Sequence, residues 1–447
     1  MVKTDRLLLM RDEKVSKALL ILGLPMVISM LVTALYNVVD TYFVSDLGLE
    51  QTAAVSVAFP ISLIFSGIGL TFGAGAGSNI SRLLGQNQKE QAEKVASIAL
   101  VSSVACGIVI AALMLLFLTP LLNFMGASKT SLDYAKSYAL FFILSAIFST
   151  ANVTAGNLAV SQGSSHISLT AMITGAVLNM LLDPIFIFLF NMGVKGAAVA
   201  TLLAQIVTSF IYIWFFRSGK SYIKIKLSNY TFDVIVYKEI IKIGISMFLL
   251  QCFAGLSMSL ISKKASVYGD EAVAAMGIVL RVVTLGVNIV FGYMKGFQPF
   301  AGFNYGAKNF TRLQEGIRCC LKWTTIFCIV WTFIMVSLSV PVLSLFDERS
   351  SFLNIAVPAL RANTIMFFTF GLQFTYSTLF LAMGKAKEGC FLSICRQGIV
   401  FLPVILILPK LLGLAGVFYA QAVADLLTTA ITMTFIWGKK KNLFCAI

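Results

Sequence analysis

Histidine is almost absent from this chain: one residue, His166, occurs among 447, and only 19 residues are acidic. A zinc site needs clustered His, Cys and carboxylate ligands, so a resident metal is not expected, and a lone His reads as a surface residue. The eight cysteines, Cys106, Cys252, Cys319, Cys320, Cys328, Cys390, Cys395 and Cys445, form no Cys-x-x-Cys pair and read as reduced, inert thiols. With no paired-carboxylate motif and no cofactor fingerprint either, the chain is not expected to be an enzyme.

Charge is the second shortage. Only 12% of residues are charged against 58% hydrophobic, which a soluble core with a normal surface does not accommodate. The class is an all-α membrane protein. Uncharged runs cover 18–39, 51–81, 95–128, 196–216, 243–262, 323–346 and 362–384, each reaching the roughly 20 residues that span a bilayer. The run 137–182 accommodates two helices, with 156–165 supplying turn residues. Three further spans are interrupted, the eighth by Arg281 and Lys295, the eleventh by Arg396 and the twelfth by Asp425. The sequence thus predicts twelve helices.

What charge there is falls unevenly. With the N-terminus inside, 23 of the 34 basic residues lie in cytoplasmic segments and 8 outside, which places both termini in the cytoplasm. The net charge of +15 then reflects topology and contact with membrane lipids, and no soluble basic domain exists to bind nucleic acid. The charged N-terminal segment followed by a run of spanning length shows no sign of a cleavable signal peptide.

The chain also repeats. Gly23, Glu50, Ala53, Ala54, Gly75, Gly85 and Gly163 recur 221 residues later as Gly244, Glu271, Ala274, Ala275, Gly296, Gly306 and Gly384. At an offset of 220, Gly193, Gly196, Ala200 and Ala204 recur as Gly413, Gly416, Ala420 and Ala424. Such duplication marks secondary transporters, and six helices per copy give two repeats of the same orientation. The predicted division is an N-terminal lobe over 1–216, a cytoplasmic linker over 217–242, and a C-terminal lobe with its tail over 243–447.

Intramembrane carboxylates are costly unless they face water, protein or an ion. Asp40 lies deep in the first span and Asp183 in the fifth, with Tyr36 and Asn179 four residues before them on the same helix faces. Pro184 frees a backbone carbonyl beside Asp183. Oxygen ligands of this kind suit a hard cation such as Na⁺, and paired carboxylates also hold a proton. The competing reading is that each aspartate caps a helix end or ties two helices. Asp425 reads as a structural partner for Arg281 or Lys295. The glycines from Gly67 to Gly77 follow no strand and read as close-packing residues in a span.

Two segments carry a family resemblance. Gly296-Phe297-Gln298-Pro299-Phe300-Ala301-Gly302-Phe303-Asn304-Tyr305-Gly306-Ala307 resembles the eighth-helix signature of the multidrug and toxic compound extrusion (MATE) transporters, and 75–85 its first-repeat counterpart. Asn179-Met180-Leu181-Leu182-Asp183-Pro184, with Gly193-Val194-Lys195-Gly196-Ala197-Ala198-Val199-Ala200-Thr201, is similar to the family's fifth and sixth helices. The resemblance covers almost the whole chain, on the bacterial branch with N-lobe acids.

The resemblance implies two six-helix lobes in a V and efflux of amphipathic, often cationic, drugs or toxins in exchange for H⁺ or Na⁺. It implies a monomer of the bacterial cytoplasmic membrane working by alternating access. The implied ion site is Asp40, Asn179, Asp183 and Thr201, with Tyr36 and Asn37 nearby, and Pro25 is the implied bend in the first helix. In the C-lobe this sequence departs from the family, offering Gln251 where another branch has a seventh-helix Glu. Gln251, Lys295, Arg281 and Asp425 are the candidate substrate-cavity residues. Lys295 either pairs with Asp425 or selects an anionic group. The alternative function is a flippase for lipid or lipid-linked saccharide.

Overall fold

The computed structural model describes residues 3–128 and 130–444, and among them every regular element is helical. Twelve helices are long and apolar enough to cross a membrane: Val15–Ser45, Glu50–Gly85, Lys89–Leu116, Leu132–Ser161, Ser165–Leu189, Val194–Arg217, Val234–Tyr268, Asp270–Gly306, Phe310–Ser337, Ser350–Ala382, Ala386–Leu412 and Leu414–Gly438. They are the first to twelfth spans below. The seven described cysteines are free, and Cys445 lies outside the described residues.

Two expected boundaries move. The turn between the fourth and fifth spans is confined to Gln162, Gly163 and Ser164, while Gly156 lies inside the fourth span, packed against Tyr212 and Ser168. Gly163 makes the turn with a φ of 83°, and its repeat mate Gly384 does the same after the tenth span with 78°, a conformation that costs glycine little. The linker is also shorter than 217–242. Asp233 caps the seventh span by accepting from the amides of Ile235 (3.0 Å) and Val236 (3.4 Å), so the helix begins at Val234. Lys94 (2.7 Å) beside Asp233 holds its carboxyl below the usual carboxylate range.

Within each half the helices pack in the same pattern. The first span packs on the fifth, the second on the fourth and the fourth on the sixth, and the corresponding pairs in the second half also pack together. The halves meet through the first and eighth, second and seventh, and second and eighth spans.

The repeated glycines form that seam. A Cβ at Gly75 would collide with the Ile240 carbonyl, and one at its mate Gly296 would stand 2.5 Å from Gly23 Cα. Gly244, the mate of Gly23, faces the Thr71 carbonyl in the same way, while Gly85 faces Phe303 and Gly306 faces Arg82. Any side chain would push these backbones apart. At the same end Arg82 bridges to Glu239 (3.3 Å), Ser78 Oγ donates to the Leu381 carbonyl (2.6 Å), and Arg312 donates to the carbonyls of Met10 (3.0 Å) and Glu13.

A buried polar tie also repeats. Asn152 Nδ2 donates to the backbone carbonyl (2.9 Å) and Oε1 (2.8 Å) of Gln205, and Ser209 Oγ donates to Asn152 Oδ1 (2.8 Å). In the second half Gln373 Nε2 donates to the Asp425 carbonyl (2.9 Å) and to Thr429 Oγ1 (2.8 Å). Residues 152 and 373 are 221 apart; 205 and 425, and 209 and 429, are 220 apart.

The expected partner of Asp425 is corrected by the structure. Asp425 is fully buried and pairs with Arg396 (2.7 Å), not with Arg281 or Lys295. The cause is local: the eleventh span passes through a π-turn over Cys395–Ile399, which directs Arg396 at the adjacent twelfth span. Arg396 also lies 4.4 Å over the Phe370 ring, and Gln421 donates to Asp425 (2.9 Å).

Two outcomes follow from this packing. Gly75→Val and Gly296→Val should each cost about 1–3 kcal/mol through overpacking, whereas Gly277→Ala, whose Cβ meets nothing within 4 Å, should leave stability unchanged. Equal behaviour of the three variants would show that the seam is not tight. Asp425→Asn, which leaves Arg396 buried without its counter-charge, should lower stability by about 3–5 kcal/mol, and Arg396→Met with Asp425→Leu should recover most of it. Thermal unfolding in detergent reads both, and an unchanged Asp425→Asn melting point would contradict the pairing.

Candidate functional site

Four spans of the first half build one polar cluster. Asp40 comes from the last turns of the first span and is half-buried; Asp183, fully buried, comes from near the end of the fifth. Their carboxyl groups lie within hydrogen-bonding reach of each other. The fifth helix runs regularly to Pro184 and then loosens into a π-turn over Ile185–Leu189. Proline cannot donate to the carbonyl four residues back, so the Met180 carbonyl loses its helical partner beside Asp183.

Asn179 and Thr201 complete the cluster. Oriented to satisfy its neighbours, the Asn179 amide nitrogen donates to Asp183 Oδ2 (2.9 Å), and its oxygen accepts from Thr201 Oγ1 (3.2 Å). Thr201 Oγ1 is also 3.0 Å from the Ala197 carbonyl, and Tyr36 stands beside Thr201 and Asn179 on the same wall. Tyr138, from the fourth span, stands close enough to both carboxyls to feel their charge and stacks on Phe142 at 5.1 Å. The sequence reading missed Tyr138, because a tyrosine in an apolar helix carries no spacing signal of its own.

Two bare carboxylates this close repel, so the pair is at rest only with a proton or a cation between them. The available donors, two carboxylates, an amide oxygen and two hydroxyls, are all hard oxygen ligands. The second half has no equivalent: at the repeat offsets Asp40 corresponds to Ile261 and Asp183 to Pro403.

Next to this cluster lies a cavity of about 220 Å³. Its walls are residues of the first, fourth, fifth and sixth spans, including Tyr36, Asn157, Asn179 and Gln205, and Lys295 enters from the eighth span. In the second half Arg396 corresponds to the cavity-lining Gly175 at an offset of 221. There a long side chain and its ion pair stand where the first half has open space.

The remaining candidates separate. Asn37 is exposed, and its carbonyl accepts from Thr41 (2.7 Å), so it does not join the cluster. Arg281 is exposed, Gln251 is half-buried away from the cavity wall, and Asp425 is held by Arg396. Pro25 sits within the first span, its carbonyl accepting from Ser29 Oγ (2.8 Å). The described residues contain no group of His, Cys, Asp and Glu fit to hold a structural metal.

Comparison with known proteins agrees with this architecture. Two segments, residues 25–185 and 243–407, match the MatE family. The chain is 26% identical over 444 residues to the multidrug export protein MepA of Staphylococcus haemolyticus, covering 99% of this chain and 98% of that protein. The outward-facing form of a multidrug resistance MATE transporter of the MOP superfamily superposes with a TM-score of 0.91 at 27% identity, covering 98% of each chain. A MOP superfamily transporter from Pyrococcus furiosus, described for a binding pocket of reverse polarity suggesting a different function, superposes with a TM-score of 0.90 at 28% identity, over 98% of this chain and 97% of that one. Twelve spans in two matched halves, and likeness along almost the full length, establish that this multi-pass membrane protein belongs to the MatE family of transporters.

Proposed function

We propose that the protein exports amphipathic small molecules in exchange for H⁺ or Na⁺, with Asp40, Asp183, Asn179 and Thr201 as the coupling site and Tyr36 beside it. The observation that carries this reading is the pair of carboxyls in hydrogen-bonding reach inside a span cluster that the other half does not repeat. Each supplies an acid that must be loaded, and the cavity adjoins them through Tyr36, Asn179 and Thr201. Loading removes carboxylate repulsion and draws the first and fifth spans together; release reverses it. Pro25 gives the first span a place to bend between the two states.

Alternating access is the motion that fits this arrangement. The glycine seam is a hinge line of bare backbone contacts, and the side-chain ties around Arg82 and Arg312 latch one end. The name MepA, multidrug export protein, supports the same activity for this chain. We place the latched end, both termini and the 218–233 linker in the cytoplasm of a bacterial cell, on the asymmetry of basic residues. The protein works as a monomer in this scheme.

Asp40→Asn and Asp183→Asn should fold, since each removes a buried charge while keeping shape. Uphill efflux from proteoliposomes should nevertheless fall more than about tenfold, equivalent to about 1.4 kcal/mol, because an ion crossing 100 mV releases about 2.3 kcal/mol that no longer reaches the substrate. Separately imposed pH and Na⁺ gradients identify the ion. A double variant that still drives uphill efflux at near normal rate would remove the coupling site. For orientation, Asn229→Cys in a cysteine-free background should react with an impermeant maleimide only after cells are permeabilised; labelling of intact cells would invert the topology.

A further inference from the structure

Among the described residues that line the cavity, Lys295 alone carries charge. The rest of the polar wall consists of amides and hydroxyls, which accept either sign, and Met26 and Met172 supply adaptable apolar surface. Among the described residues no carboxylate lies within ion-pair distance of the Lys295 ammonium, whose one close aromatic neighbour is the Phe291 ring at 5.4 Å. Asp425, the acid that would neutralise it in a merely structural role, is committed to Arg396. The acid pair is not part of the cavity wall either, since Asp40 and Asp183 face each other behind Tyr36, Asn179 and Thr201.

The position of Lys295 along the cavity is fixed by its neighbours in the helix. Gly292 packs on Met26 and Val27, and Gly296 on Gly23, so Lys295 enters at the Met26 end, beside the seam. Tyr36 lines the other end, ten residues further along the first span, or about 15 Å at 1.5 Å per residue. A molecule filling this length meets fixed positive charge at its deep end and hydrogen-bonding groups at the other. A permanent cation would meet uncompensated repulsion at that deep end, whereas a carboxylate, sulfonate or phosphate ester would satisfy the ammonium.

We propose that the cavity takes amphipathic organic anions, or zwitterions entering anion first, with the anionic group on Lys295 Nζ. Lys295 is thereby the residue that sets the charge of the cargo. Because it belongs to the eighth span and every other wall residue to the first half, the bound anion also bridges the two halves across their hinge line. The inference rests on the reading that this cavity is the substrate site.

The test uses the full chain in lipid nanodiscs with two probes, the sulfonate taurocholate and the cation ethidium, read by equilibrium binding. Wild type should bind taurocholate more tightly than ethidium. Lys295→Gln should weaken taurocholate at least about tenfold, the scale of a charge-assisted hydrogen bond, and strengthen ethidium; Lys295→Arg should restore taurocholate to within about threefold. Lys295→Met serves as a second neutral variant should the glutamine form unfold. Ala204→Trp, which fills the cavity wall, should weaken taurocholate. If Ala204→Trp weakens the probes and neither neutral variant shifts their ratio, Lys295 does not set cargo charge although the cavity stands. If Ala204→Trp changes neither probe, the cavity itself is not the substrate site.

Discussion

Backbone lying on backbone between the two halves is the contact on which the rest of this structure depends. At Gly75, Gly85, Gly244, Gly296 and Gly306 a Cβ would strike backbone of the other half, and Gly296 lies on Gly23, so the helices approach until carbonyl oxygens and α-carbons touch. In a membrane there is little hydrophobic force to hold helices together, because lipid is as apolar as leucine. Close van der Waals contact and the few polar ties must hold the halves instead. A contact without interlocking side chains is also one about which helices tilt without disengaging knobs from holes. The same six glycines thus account for both the cohesion of the halves and the motion proposed for them.

Duplication makes the differences between the halves informative. The seam glycines, the turns at Gly163 and Gly384, and the ties at Asn152 and Gln373 repeat because both copies meet the same packing problem. Asp40 and Asp183 do not repeat, and neither does the open space beside Gly175, which its counterpart Arg396 occupies with an ion pair to Asp425. The second copy keeps a closed interior around that ion pair and serves as a frame. The other holds two acids, a cavity and the polar lining between them, which is where ion loading and cargo binding meet in this account.

Much of this was legible in the sequence, for physical reasons that also mark the limits. Spans announce themselves because a bilayer excludes charge, so the helix count and class needed no motif. The acids at Asp40 and Asp183 stood out for the same reason, and four-residue spacing correctly joined Asn179 to Asp183 but gave no weight to Tyr138, which reaches the cluster from another helix. Spacing within a helix says nothing about which helix lies opposite. The partner of Asp425 is therefore not legible from spacing: Arg396, in the neighbouring span and not Arg281 or Lys295, reaches it through a π-turn that no apolar run reveals. Asn37, one residue from Tyr36, lies on the exposed side of its helix, and the linker is shorter than its charge pattern implies because Asp233 caps the seventh span.

The central claim is that loading the acid pair moves one half against the other about the glycine seam. Phe124 and its repeat mate Leu345, 90% and 84% exposed, give symmetric positions for spin labels in a cysteine-free background. Pulsed electron-electron distance measurements between them, across pH at zero Na⁺ and across Na⁺ at fixed pH, report the opening directly. The account predicts a distance distribution that shifts with one of these ions in the otherwise native chain and is locked in Asp183→Asn. An ion-dependent shift that persists undiminished in Asp183→Asn would contradict it.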